Sequence, residues 1–346
     1  MKARLGDKQL IYQFKYLQAK NAKIEQDLVD LKAQMKNATS DTAKKATEAK
    51  IAQNEKQASI LDMLALAYDL NVPGTYDTAI SICTQILAKE NSAAAYFCRG
   101  LVYDNIGKYD QALDDYSQAI KLQSDDAFVY YFRGTIYNDK GQSDQAIADY
   151  SQAIKLMPDF AYTYFIRGVA YNDKGQYDQA IADYSQTIKL QPDDAETHYF
   201  RGSAYGKKGQ YDQAIADYSR AIKLKPDFAE AYTNRGVAYY DKGQYDQAIA
   251  DYSQTIKLQP DDAEAHYFRG SAYGKKYQYD QAIADYSQAI KLKPNYANAY
   301  NNRAFAYVKT GNPSQVVADL RILRQLDNDL FMTLSLIHIS EPTRPY

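Results

Sequence analysis

The chain has 346 residues, 46% of them hydrophobic and 24% charged, with 41 Lys and Arg against 43 Asp and Glu, a balance ordinary for a globular protein. A net charge of -2 leaves no electrostatic footprint for nucleic acid, which needs a basic domain or stripe, and no apolar run approaches the length of a membrane span. The two cysteines, Cys83 and Cys98, are too few for a disulfide framework and stand at no paired metal-ligand spacing, so both read as small buried fillers.

Residues 1–57 carry 12 Lys and Arg against 7 Asp and Glu and read as a basic helical segment. The opening stretch MKARLGDKQLIYQF lacks the continuous apolar core and small-residue cleavage site of a secretory signal, so cytoplasm is the expected compartment. Leu10, Phe14, Leu17, Asn21, Ile24, Leu28, Leu31, Met35 and Ala38 alternate steps of four and three, a heptad register. Asn21 falls at a core position, and Lys20–Glu25 and Asp27–Lys32 fall at the spacing of interhelical charge pairs, which points to a homodimer through residues 10–38. So short a seam equally allows this helix to pack back on residues 41–70 of its own chain. Residues 58–92 read as a degenerate cap: Ala65, Tyr68, Tyr76 and Ala79 follow the order of the later repeats, with a loop lengthened around Val72, Pro73 and Gly74.

From Ala93 the text repeats every 34 residues, in units 93–126, 127–160, 161–194, 195–228, 229–262, 263–296 and 297–330. In the fifth unit apolar and small residues recur at helical spacing over Ala229 to Tyr240 and again over Tyr245 to Leu258, so each unit is two helices. Lys242–Gly243 ends the first helix with a residue suited to the left-handed conformation. Asp246 and Lys257 place acid at the start and base at the end of the second, complementing the helix dipole. Pro260 then bars continuation, and Asp261 and Asp262 offer caps for the next helix. A longer period of 68 residues makes 187–240 and 255–308 nearly the same text, as duplication of a two-repeat block would.

Tyr232, Gly236, Tyr239, Ala248, Tyr252 and Pro260 match in order and spacing the fingerprint of the tetratricopeptide repeat, and each unit over 93–330 resembles a member of that family. The resemblance implies an all-α solenoid, a right-handed superhelix of helix-turn-helix repeats with a concave groove lined by first helices. One departure recurs: Arg99, Arg133, Arg167, Arg201, Arg235, Arg269 and Arg303 stand where the family usually has Leu. An aspartate recurs with each, from Asp115 to Asp319. Guanidinium groups removed from water need partners, so an ion pair within each repeat is expected in preference to the alternative, an arginine ladder for anionic ligands.

No catalytic residue, metal ligand or cofactor site is expected. His198 and His266 occupy the packing offset of Tyr232 and have no nucleophile or ligand partner at useful spacing. Every glycine is assigned to a helix end or a helix crossing, and no strand precedes a glycine-rich loop, so phosphate chemistry has no home. Of the 35 tyrosines, most fall at the four aromatic offsets and are assigned to packing.

The resemblance implies a non-enzymatic scaffold or adaptor that binds a peptide or partner helix in its groove. The alternative is the regulatory portion of a larger enzyme or transport assembly whose other domain is missing. Candidate groove residues are Phe97, Tyr131, Phe132, Phe165, Tyr199 and Phe200, followed by Asn234, Tyr267, Phe268, Asn301 and Asn302. Aromatic anchors beside a few amides suit an apolar or proline-rich extended segment, with no nucleic acid and no membrane as partner; half of these rings read equally well as filling the contact with the preceding repeat. Residues 334–344, LSLIHISEPTR, resemble the translation of a sequencing-library transposase adapter, and 334–346 are set aside as non-native.

Overall fold

The computed structural model describes residues 22, 25–37, 40–69 and 75–326. Residues 334–346, His338 among them, all of Val72–Gly74 and most of the 10–38 seam lie outside them. Within the described residues every regular element is a helix. Helix α1 occupies 25–37, followed by α2 (Asp41–Asp69) and α3 (Thr75–Leu87). The first helices of the repeats are α4 (Ala93–Asn105), α6 (Ala127–Asp139), α8 (Ala161–Asp173), α10 (Ala195–Lys207), α12 (Ala229–Asp241), α14 (Ala263–Lys275) and α16 (Ala297–Lys309). Their partners are α5 (Tyr109–Leu122), α7 (Ser143–Leu156), α9 (Tyr177–Leu190), α11 (Tyr211–Leu224), α13 (Tyr245–Leu258), α15 (Tyr279–Leu292) and α17 (Pro313–Leu326). Each first helix begins at the alanine that opens its repeat.

The chain divides into two compact units, Met1–Thr163 and Tyr164–Tyr346. In the first, α2 crosses the expected 57/58 boundary without a break. Lys32, one of the residues at interhelical-pair spacing, pairs with Glu55 of α2 in the same chain at 2.9 Å. In the second unit α10, α12, α14 and α16 lie side by side and form one face.

Two kinds of glycine set the hairpin. Gly236 is a crossing glycine: a Cβ there would stand 2.7 Å from Cε1 of Tyr252, closer than packed atoms tolerate. Gly100, Gly134, Gly168, Gly202 and Gly270 meet the equivalent tyrosine ring in the same way. The last repeat is an internal control, because Ala304 replaces the glycine where Leu320 replaces the ring. The second kind ends the first helix at positive φ, as at Gly243 with φ 74°. Tyr277 takes that place in the sixth repeat with φ 61° and is 78% exposed, a conformation that costs a non-glycine residue about 1 kcal/mol or more.

The expected caps are only partly used. Asp262 accepts from the backbone N–H of Glu264 and Ala265 at 2.9 and 3.1 Å, and Asp126 accepts from Phe128 at 3.1 Å. Before α12 and α16 the cap residue is instead aromatic, Phe228 or Tyr296. These rings lie 5.0 Å from Tyr199 and 5.0 Å from Tyr267, so ring packing replaces the capping hydrogen bond there.

Candidate functional site

All seven arginines pair as expected. Arg235 donates through Nε and Nη2 to the two carboxylate oxygens of Asp251 at 2.8 and 2.7 Å, a bidentate geometry. The same fork joins Arg99 to Asp115, Arg133 to Asp149, Arg167 to Asp183, Arg201 to Asp217, Arg269 to Asp285 and Arg303 to Asp319. These pairs tie first helix to second within a repeat.

Two further contacts had no sequence-based expectation. The remaining nitrogen, Nη1, donates to a serine on the second helix of the preceding repeat: Arg235 to Ser219 at 2.9 Å, Arg269 to Ser253 at 3.1 Å and Arg133 to Ser117 at 3.1 Å. Each serine hydroxyl passes its own proton to the carbonyl four residues back, as Ser219 does to Ile215 at 2.7 Å. The guanidinium also lies between two tyrosine rings, Tyr232 and Tyr239 at 5.6 and 5.9 Å for Arg235, within cation–π range. In the fourth and sixth repeats His198 and His266 replace one ring and turn Nδ1 toward the aspartate, 3.5 Å from Asp217 and 3.3 Å from Asp285. Burial raises the Asp183 and Asp251 carboxyls despite their arginines. At Asp217, burial is outweighed by Arg201 and by the added His198, and the carboxyl falls below its usual value. The arginine ladder is thereby saturated internally and offers no free cation.

Four of the candidate groove rings are interior. Phe97, Tyr131, Phe132 and Phe165 are each no more than 2% exposed, and this corrects their assignment as ligand anchors. Phe97 sits 5.9 Å from Tyr116 and 5.8 Å from Phe132. Tyr131 is enclosed by Tyr150, Phe160 and Tyr162, and Phe165 by Tyr184 and Phe200. Large rings at adjacent offsets in consecutive repeats cover one another, which removes them from the surface.

The other candidates are half-buried on the second unit's first-helix face. Asn234 donates to the Tyr199 hydroxyl at 2.9 Å, and Asn302 to that of Tyr267 at 3.2 Å. Phe200 and Phe268 pack inward on Tyr184 and Tyr252, and Asn301 donates to Asn302 at 3.4 Å. A cavity of about 270 Å³ adjoins the second pair, lined by residues of α12, α14, α15 and α16, among them Tyr240, Ser271, Gly274, Lys275, Tyr286 and Asn302. Gly274 and its counterpart Gly206 stand in the last turn of α14 and α10, at the helix ends where glycine is expected. Neither has positive φ, and a Cβ at either would come no nearer than 3.7 Å to the tyrosine hydroxyl facing it.

In the first unit Asp104 of α4 has a carboxylate oxygen, Oδ2, cut off from solvent and without a hydrogen-bond partner, although the side chain as a whole is partly exposed. Burial, and then the charge of Asp139, push its pKa up to about 7. The next two repeats have Asn138 and Asn172 at this offset. A folded-state pKa above the unfolded one means that the folded protein keeps a proton the unfolded chain releases. Stability from this group is therefore present below about pH 4 and declines as pH rises toward 7. Asp104→Asn should abolish that decline and stabilise the protein at pH 8 by on the order of 2 kcal/mol. Urea midpoints of both proteins at pH 5 and pH 8 check this; an equal offset at the two pH values would refute it.

Among the described residues no group of His, Cys, Asp or Glu is placed to hold a metal, and no helix is long and apolar enough to cross a membrane. The TPR-repeat family profile matches residues 134–174, 168–209, 202–243, 236–276 and 278–311, and the tetratricopeptide repeat profile matches 93–126. The hairpins, their crossing glycines and these matches define the class, a helical repeat protein. The chain belongs to the tetratricopeptide repeat family. Among solved structures, the C-terminal part of a TPR repeat-containing protein from Cytophaga hutchinsonii is similar at 23% identity and TM-score 0.59, covering 69% of this chain and 98% of that one. MamA is 30% identical with TM-score 0.47, covering 50% of this chain and 94% of its own. YrrB, described as a TPR protein with an unusual peptide-binding site, is 23% identical with TM-score 0.48, covering 53% and 95%. No curated protein matches.

Proposed function

We propose that this protein is a non-enzymatic scaffold that binds an extended protein segment on the first-helix face of residues 164–326. The observation that carries the reading is the repeated, half-buried tyrosine–asparagine pair, Tyr199 with Asn234 and Tyr267 with Asn302. A rigid ring held by an amide presents apolar area and hydrogen-bonding groups at little entropic loss, the combination that anchors extended segments. The arginines, aspartates and interior rings are consumed by the fold, so the face that remains is where a partner has something to gain.

The test is selection of a phage-displayed random dodecapeptide library on the immobilised full chain, followed by fluorescence anisotropy of the selected peptides. The Tyr199→Ala, Tyr267→Ala double variant should bind them at least tenfold more weakly while its helical circular dichroism is retained. Unchanged affinity, or a library that yields no binder, refutes the reading.

A further inference from the structure

Helix α1 and the first half of α2 are amphipathic and thinly covered. In α1 the half-buried side chains are Leu28, Leu31 and Met35, and in α2 they are Thr47, Ile51, Asn54 and Ala58. Steps of three and four put each set on one stripe of its helix. Lys32, beside the first stripe, bonds Glu55, beside the second, at 2.9 Å, so the stripes face each other across a helical hairpin. None of the side chains described between 25 and 55 is buried. A stripe covered by one helix is closed on one side, and helical bundles close the other with a second pair of helices. The repeats leave that side open at this level: a cleft of about 830 Å³ lies between Leu31, Ala52 and Gln53 of the hairpin and Glu90, Ser92 and Leu122.

The charges on the hairpin are sorted along its length, with the Lys32–Glu55 pair setting the register. From that pair toward the link between the helices, the described charges are Lys36, Lys44, Lys45 and Lys50 against Asp41 and Glu48, a balance of +2. In the other direction they are Glu25, Asp27 and Asp30, a balance of -3, and Lys56 and Asp62 at the same level of α2 cancel. The centres of the acidic and lysine groups are roughly 20 Å apart at about 1.5 Å per residue. Glu25, Asp27, Asp30, Lys44, Lys45 and Lys50 are all exposed, and none has an oppositely charged partner among the described residues.

We propose that a second copy of this chain lays its own α1–α2 hairpin antiparallel on the first, completing a four-helix bundle. A two-fold axis across the hairpin sets the acidic end of each copy on the lysine end of the other, and an isologous contact makes that pairing twice. A two-fold axis along the hairpin would set like charge on like. Through 25–37 the heptad stripe is spent on α2, so the second copy meets a hairpin and not a bare α1. The dimer carries two repeat arrays, and a partner with two binding segments gains from holding both.

Sedimentation equilibrium of the full chain over a concentration series should give a dimer, twice the 39.2 kDa of one chain. The triple variant Lys44→Glu, Lys45→Glu, Lys50→Glu makes both ends of the hairpin acidic, and Glu25→Lys, Asp27→Lys, Asp30→Lys makes both basic. Each alone should dimerise at least tenfold more weakly than the parent, with helical circular dichroism retained because all six positions are exposed. Mixed in equal amounts, the two should form a heterodimer at least as tight as the parent. The mixture regains what each variant loses, so failure to fold cannot imitate this result. A monomer throughout the series, association by both variants equal to the parent's, or a mixture no tighter than either variant alone overturns the proposal.

Discussion

Arg235→Leu should destabilise the array by about 3–5 kcal/mol, because Asp251 is then left buried with no counter-charge. Asp251 is only 5% exposed, and both its oxygens are occupied by the guanidinium. The substitution restores the residue type usual in the family, yet it removes three hydrogen bonds and a cation held between two rings. The companion variant, Arg235→Leu with Asp251→Leu, should lie within about 2 kcal/mol of the parent, since a buried ion pair replaced by well-packed apolar groups is often neutral. Urea unfolding followed by circular dichroism, with hydrogen exchange over 229–262, reads the comparison; a single variant as stable as the double would show that the aspartate does not depend on its arginine.

Gly236→Ala should cost about 1–3 kcal/mol, the usual penalty of forcing a methyl group into a filled interior, although alanine is the better helix former. The ring of Tyr252 is 1% exposed and is stacked 5.7 Å from Phe268, so it moves only by displacing a packed neighbour. The seventh repeat supplies the remedy, a leucine in place of the ring. In the Tyr252→Leu background the glycine-to-alanine change should therefore be nearly neutral or stabilising, and a thermal-melt double-mutant cycle measures the coupling. Additive losses in the two backgrounds would rule out the steric account.

The period, the hairpins and the arginine–aspartate pairs were readable because each depends on a separation that never varies. The serine that receives the third guanidinium nitrogen also recurs at a fixed separation, but a serine on a helix reads as a solvated residue, and nothing in its spacing marks it as an acceptor. Crowding between helices told that some of the rings would be interior, but which of them was not readable. Tyr131 and Tyr199 share an offset, yet the first is enclosed by Phe160 and Tyr162 while the second meets Phe228 and the smaller Asn234. What covers a ring is decided by the next repeat, and a reading offset by offset does not see across that junction.

The fork reaches back 16 residues, from Arg235 to Ser219, and the outer lysine pair reaches back 30, from Lys242 to Asp212. Neither extends past an adjacent repeat, so a block of 68 residues can be gained or lost with every type of junction contact re-formed where the text rejoins. The near-identity of 187–240 and 255–308 is what duplication of such a block leaves behind. Contacts confined to neighbouring repeats make array length a quantity that can change by whole blocks while each junction keeps its partners.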